Sequence, residues 1–563
     1  MLLKETVAVK KFALLTLAVF ACLAPAASAS AAESKPVVVV TFSGYDQLKA
    51  DLDFIGQISD NPELGNSLEG LVALLTQLQG LVGLDKSKPW GLAISTDGLD
   101  LQNIAFLPVN DLKKLLGVLV GIVGPPEDKG EHVQIRVNGA PVFIKSEKGW
   151  AFLAMDPEHL ANLPKDPQAI FGTLTKDYDL AVRVNVQNVP EPYRDRAISE
   201  IKRGMQQGLE RKDDETDAQY QTRVNIMETQ VEQLTQLIKD LDALTLGWAI
   251  DGKARRAILD FSLTAIAGSQ MAKQSVVEII PSRFAGFLSP DTLFNAHCAT
   301  KQKAADVTQS VAMLNSLRSS IADAITNDDD LPTDQEKETV KKLATQLLDV
   351  IEATLKQGVI DGGLLVTPTA PFTIAGGLGV VGGDTLESAF KQAVDLGKKK
   401  ADAPKAAFDV AKYQSVNFHT LKGPWPENDD ADAEDIENMK AALGDELELT
   451  AGFSKDAIYF ALGPDGVGAI KKVIDGSAGA AKADLPLQMN LAMGRVLDFL
   501  AEQDPDNPVL GICADTLEKG KDKIHLTSRM VPNGSMMRIE IEEGVLRVLG
   551  VGARAAQGAM GPR

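Results

Sequence analysis

A chain of 563 residues, 45% hydrophobic and 24% charged, has ordinary globular composition and is long enough for more than one hydrophobic core. Its formal charge of −20 repels polyanions, which argues against nucleic acid and anionic lipid headgroups as partners.

The first 29 residues read as a secretory signal peptide. Lys4, Lys10 and Lys11 precede an apolar run at 12–23, and Ala27-Ser28-Ala29 supplies a small-residue exit. The run falls short of the roughly 20 apolar residues that a membrane span needs. Cleavage is expected after Ala29, with Ala31 the next choice. Cys22 offers a lipoprotein signal as the lesser alternative, weakened by the bulk of Phe20. Export to the periplasm or the exterior follows, with no transmembrane segment in the mature chain. The longest later apolar stretch, 115–124, is punctuated by glycine and reads as a buried helix. Two cysteines remain, Cys298 and Cys513. An oxidising compartment leaves open one disulfide or two buried thiols.

The mature chain begins with a strand at 37–42. Helical spacing follows over 45–84, broken near Asn61-Pro62. Strands lie on either side of Asp97-Gly98, and Asn110 caps a helix at 111–123. Residues 132–137 and 142–145 form a hairpin around Asn138-Gly139, a strong two-residue turn signal. Strands at 150–155 and 180–186, then 244–250 and 257–265, complete a unit.

The same order recurs downstream. It runs from a strand at 293–298, through helices 303–326 and 333–357, to a closing hairpin around Asn533-Gly534. Residues 150–157 (WAFLAMDP) resemble 458–465 (IYFALGPD), and 180–186 resemble 487–493. The chain therefore reads as an α+β protein of two diverged repeats, 36–275 and 283–551. Each is expected to be a mainly antiparallel sheet with helices on one face. Residues 192–243 read as a helical-hairpin insertion in the first repeat, with Val224, Met227, Val231, Leu234, Ile238 and Leu241 at a/d spacing. Such an arm could hold a protein partner, although apolar stripes on helices more often pack on their own domain. Residues 552–563, rich in Gly and Ala, read as a disordered tail.

No catalytic, cofactor or metal motif survives its context. Gly377, Gly379 and Gly382 match a dinucleotide fingerprint, but within a hairpin and not in a strand–helix–strand unit. Ser199–Lys202, Ser388–Lys391 and Ser59-Asp60-Asn61 imitate a penicillin-binding signature in the wrong order. No two of His132, His159, His297, His419 and His525 are three or four residues apart, as helix-borne metal ligands require. The acidic loop 427–437 lacks the Gly and Glu of a calcium loop. The strands also carry polar residues, His132, Gln134, Arg136, Arg183, Asn185, Asn417, His419, Gln488 and Asn490. On one sheet face these would form a hydrogen-bonding platform between the repeats.

The element order resembles that of secreted planctomycete proteins of unknown function. The resemblance is carried by Lys88-Pro89-Trp90-Gly91, Thr96-Asp97-Gly98, residues 106–116 (FLPVNDLKKLL) and Glu543-Gly544-Val545-Leu546. It brings no site residues. Three functional readings stand. The first is a non-enzymatic binding or structural protein of the cell envelope. The second is a carrier or sensor of an apolar ligand held between the sheet and helices 64–84 and 112–123. The third is a hydrolase with a site between the repeats, in which His419 or His132 meets a carboxylate in a cleft.

Overall fold

The computed structural model describes residues 35–559, apart from 60, 97–100, 162, 165, 208, 210, 212–214, 216, 329–330, 332, 399–402, 426–432, 479–484 and 518–519. The expected signal peptide with Cys22, the turn expected at Asp97-Gly98 and most of the acidic segment 427–437 lie outside the described residues.

The first half runs β1 (Lys35–Phe42), α1 (Tyr45–Ile58), α2 (Leu64–Leu75), β2 (Trp90–Thr96), β3 (Leu101–Pro108), α3 (Leu112–Val123), β4 (Glu127–Asp128), β5 (Val133–Val137), β6 (Ala140–Glu147), β7 (Trp150–Ala154), α4 (Pro167–Phe171), α5 (Leu174–Asp177), β8 (Leu180–Asn185), α6 (Glu191–Gln207), α7 (Asp217–Asp240), β9 (Leu241–Asp251), β10 (Arg256–Ala265), α8 (Gln270–Ser275) and β11 (Glu278–Ile279). The second half runs β12 (Phe294–Lys301), α9 (Ala304–Thr326), α10 (Asp334–Gln357), β13 (Val359–Val366), β14 (Ile374–Gly379), α11 (Gly383–Gly397), β15 (Lys405–Tyr413), β16 (Val416–Gly423), α12 (Ala433–Leu443), β17 (Leu447–Ser454), β18 (Ala457–Leu462), α13 (Gly466–Ser477), β19 (Leu487–Ala492), α14 (Met493–Gln503), α15 (Pro508–Thr516), β20 (Lys523–Val531), β21 (Gly534–Glu542) and α16 (Glu543–Ala559).

These strands form one continuous sheet, antiparallel at every pairing among the described residues. In space the first half reads β4-β5-β6-β7-β3-β2-β1-β8-β9-β10. The second reads β15-β16-β17-β18-β14-β13-β12-β19-β20-β21, with β11 extending the β12 edge. Strand for strand the order is the same. The halves meet where Arg256–Thr264 of β10 pairs with Glu542–Gly534 of β21.

Local chemistry accounts for the turns. Asn138 and Gly139 both take positive φ, 52° and 85°, as a two-residue hairpin turn of the right twist demands. The helix cap expected at Asn110 falls one residue later, because the Asp111 side chain accepts the Lys114 amide at 3.1 Å.

Three expectations change. Helices cover both sheet faces, not one. Phe106 and Leu107 are consecutive on β3 and point to opposite sides. Phe106 joins a core with Phe152, Phe171 and Leu174, whereas Leu107 packs with Leu115, Leu116 and Ile144. Both cores are needed because the strands of this half carry apolar residues on both faces.

Secondly, the helical hairpin is not peculiar to the first half. α6 and α7 (17 and 24 residues) stand between β8 and β9, and the shorter α14 and α15 (11 and 9 residues) stand between β19 and β20. The first pair is the longer. It also ends at Asp240, since Leu241 to Ala243 already pair in β9.

Thirdly, where a disordered tail was expected from 552, α16 continues to Ala559. The frequent alanines favour helix enough to offset the glycines.

Candidate ligand cavity

Helix α3 has the sequence LKKLLGVLVGIV, with its only charges, Lys113 and Lys114, in the first turn. Leu112, Leu115, Leu116, Leu119 and Val123 recur at helical spacing and face the sheet. Beneath them lie Ala105 and Leu107 of β3, Val142 and Ile144 of β6, and Ala151 and Leu153 of β7. Between helix and sheet is a cavity of about 510 Å3, extending to Phe42 and Trp90, whose rings stack at 4.5 Å. Among the described residues, Asn138, at the hairpin turn, is the only lining residue with a polar side chain apart from the indole of Trp90. Ala105, Ala140 and Ala151 leave the space unfilled because their side chains are small.

Cavity size and chemistry both argue for a ligand. Pockets that take small molecules measure roughly 300–1,000 Å3 and are mostly apolar. Of the two helical segments expected to line a pocket, 112–123 does so, whereas 64–84 contributes no lining residue.

The corresponding place in the second half is filled. Helix α11 follows β14 as α3 follows β3, and by strand register it covers the same sheet face. Beneath it His419 is fully buried, with the rings of Phe390, Phe408 and Phe453 at 5.7–5.9 Å. Glu387, Asp409 and His419 bring their ligand atoms within 4.8 Å of one another. They do not make a metal centre. His419 Nδ1 accepts the Asp409 amide at 3.0 Å, so the ring proton sits on Nε2, which faces Glu387 at 3.2 Å and has no free lone pair. Lys391 Nζ sits between the carboxylates, 2.8 Å from Glu387 and 3.2 Å from Asp409. Burial, reinforced by Lys391, pushes the His419 pKa down and favours the neutral ring. The hydrolase reading required this histidine in a cleft, and its burial among phenylalanines withdraws that support. His132 precedes β5, packing edge-on against Phe143 at 5.2 Å.

A serine, a histidine and an aspartate also meet, in the wrong order for catalysis. Ser282 Oγ donates to Asp361 Oδ1 at 2.5 Å, and His297 Nε2 lies 2.7 Å from Ser282 Oγ. A catalytic triad needs the imidazole between serine and carboxylate, to take the hydroxyl proton. Here the carboxylate holds that proton. Asp361 Oδ2 also accepts the Arg283 amide at 3.0 Å, so the group clamps 282–283 onto β12 and β13.

The polar platform is divided. Register places Gln134, Arg136, Arg183, Asn185, Gln488 and Asn490 on one face. Asn417 and His419 fall on the other, because their partners lead to Ala296, which alternates with Asn295 and His297. The shared face holds one ordered chain. Asn295 Nδ2 donates to the Ser289 carbonyl at 2.8 Å, and Asn490 Nδ2 donates to Asn295 Oδ1 at 2.7 Å. Asn490 Oδ1 lies 2.6 Å from His525 Nδ1, whose Nε2 faces Glu542 at 3.2 Å.

The remaining candidates are structural. In β14 a Cβ at Gly377 would come within 2.9 Å of the Phe284 ring, and one at Gly376 within 2.3 Å of Phe460, so these glycines admit aromatic rings and not a phosphate. Ser199 and Ser388 donate to the carbonyls of Asp195 and Asp384 in their own helices, and Ser59 donates to Ile55. Cys298 and Cys513 are free thiols, the second buried beside Leu497 and Leu517. No helix among the described residues is long and apolar enough to cross a membrane.

No motif marks the cavity; its signal in the sequence is a helix without a charge from Leu115 to Val123. No family model, curated protein or solved structure matches this chain.

Proposed function

We propose that the mature chain is an exported, non-enzymatic protein that binds an apolar ligand beneath α3. The observation that carries this reading is the apolar cavity of about 510 Å3. The filled counterpart under α11 supports it, since a space open in only one of two similarly ordered halves is no requirement of the fold. Within this proposal the halves are diverged copies of one unit, residues 1–29 are the export signal, and the likeness to secreted planctomycete proteins concerns the same architecture. An acyl chain or another elongated hydrocarbon suits a lining with almost no hydrogen-bonding groups.

The test is titration with a fluorescent long-chain fatty-acid analogue. Saturable binding is expected in the wild type, with at least about tenfold weakening in Leu119→Trp, which fills the cavity from α3. Equal binding by both would refute the location; no binding by either would refute the reading.

A second reading is favoured by the arm α6–α7. α6 buries only Ile198, and Tyr193, Ile201 and Leu237 are exposed on the pair. A protein partner on this arm is compatible with a ligand under α3.

A further inference from the structure

The cavity explains the inner side of α3 but not its outer side. Val120 and Ile122 project into solvent there. Alongside runs the segment after α2, antiparallel to α3. Gln77 approaches Gly121, and a Cβ at Gly83 would collide with Asp111 and Leu115 at the helix start. The end of α2 displays Leu74 at 70% exposure, and the segment after it displays Leu78 at 86% and Val82. Residues 70–84 and 115–126 contain no charged side chain, in a chain that is 24% charged. Two unpaired charge-free tracts, side by side at the surface, exceed the scattered apolar residues of an ordinary exterior.

Gln77 and Leu78 both adopt left-handed conformations, with φ of 52° and 67°. Each costs roughly 1–2 kcal/mol for an L-residue. The Leu78 and Gln77 amides donate to the Ala73 and Leu74 carbonyls at 2.6 and 3.4 Å, so this geometry closes the end of α2 and leaves the Leu78 side chain in solvent.

The charges around the patch identify its occupant. Lys86, Lys88, Lys113 and Lys114 gather at the end where Gly83 meets α3. Among the described residues Lys88 and Lys114 pair with Asp85 and Asp111, and Lys86 Nζ lies 5.0 Å over the Tyr45 ring with Asp46 beside it, so the four lysines outnumber these three acids and the rim keeps a small positive excess. An uncharged apolar face bordered by lysines fits the boundary between hydrocarbon and phosphate headgroups.

We propose that the outer face of α2–α3, centred on Leu74 and Leu78, docks onto a lipid bilayer. Leucine side chains enter the acyl region and the lysine rim meets lipid phosphates. The rest of the acidic surface repels anionic headgroups, so a zwitterionic bilayer is the better surface. Docking places the lid of the cavity against hydrocarbon. The proposal goes beyond the ligand reading and stands or falls separately from it.

The experiment is flotation of the mature protein with phosphatidylcholine vesicles. The wild type should float. Leu78→Glu and Leu74→Glu, at exposed positions, should keep the wild-type circular dichroism and weaken binding at least about tenfold. Val276→Glu, which alters an exposed apolar residue elsewhere, should float like the wild type. Fatty-acid-analogue binding is measured on the same samples, and its retention in the two leucine variants separates docking from loading. Failure of the wild type to float overturns the proposal. So does equal flotation of all variants, or a wild-type dimer by light scattering that Leu78→Glu dissociates, which would make the face an interface between copies.

Discussion

Asp260 on β10 and Arg538 on β21 face each other across the seam between the halves. Arg538 Nε and Nη2 donate to the two carboxylate oxygens at 2.8 and 2.7 Å. Tyr178 Oη donates to the same carboxylate at 2.9 Å. Asp260 is 1% exposed, so its charge depends on these donors. Burial, then the carboxylate, raises the Tyr178 pKa and keeps the hydroxyl a donor. Arg538→Ala strands a buried carboxylate and should destabilise the protein by about 3–5 kcal/mol. Arg538→Met with Asp260→Leu should recover much of that loss. Urea denaturation of the three proteins checks both statements.

Asp51 on α1 gives stability a dependence on pH near neutrality. Burial, then the nearby Asp179 carboxylate, raises its pKa from 3.8 to about 7. The folded state therefore keeps a proton that the unfolded state has released. Stability is lost as pH rises from about 4 to about 7, by up to roughly 3–4 kcal/mol. Asp51→Asn should match the wild type near pH 4 and exceed it at pH 8. Thermal melts across that range read the difference.

Glu543, at the start of α16, acts in the opposite sense. Its carboxylate is 1% exposed and hydrogen-bonded by Arg255, with Lys521 and Arg547 close by. Arg255 above all holds its pKa down, to about 2. This stabilisation is present above the unfolded-state pKa, about 4.3, and is lost as pH falls through the folded value. Glu543→Gln should be destabilised by a few kcal/mol, roughly 3, at pH 7, with the deficit vanishing near pH 2. Denaturation measured in steps between those limits tests it.

Filling the cavity should also be visible in the absence of ligand. Ala151 on β7 is buried and lines the space. Ala151→Leu adds apolar contacts where no atoms now sit, and should stabilise delipidated protein by about 1–2 kcal/mol. The same substitution in an ordinary packed core is destabilising. Calorimetry of delipidated wild type and variant distinguishes the two.

What was legible in the sequence is local. Asn138-Gly139 and Asn533-Gly534 announce hairpins because few other residues accept the backbone there, and Asn138, Gly139 and Asn533 do take positive φ. The strand order could be followed because turns and periodicity recur in both halves. Facing could not, since whether His419 shares a side with Asn490 depends on register accumulated through several strands. Asp260 and Arg538, 278 residues apart, carry no mutual signal in one sequence. The cavity was half legible. The apolar pattern of 112–123 identifies a buried helix, but the distance between helix and sheet is set by tertiary packing, which periodicity does not encode.

The central claim is that an apolar molecule occupies the space beneath α3. Native mass spectrometry of the mature protein, purified without detergent, tests it most directly. The account predicts a one-to-one small-molecule adduct that is extracted by organic solvent and absent from Leu119→Trp. A bare protein mass that stays bare after incubation with fatty acids and phospholipids would contradict it.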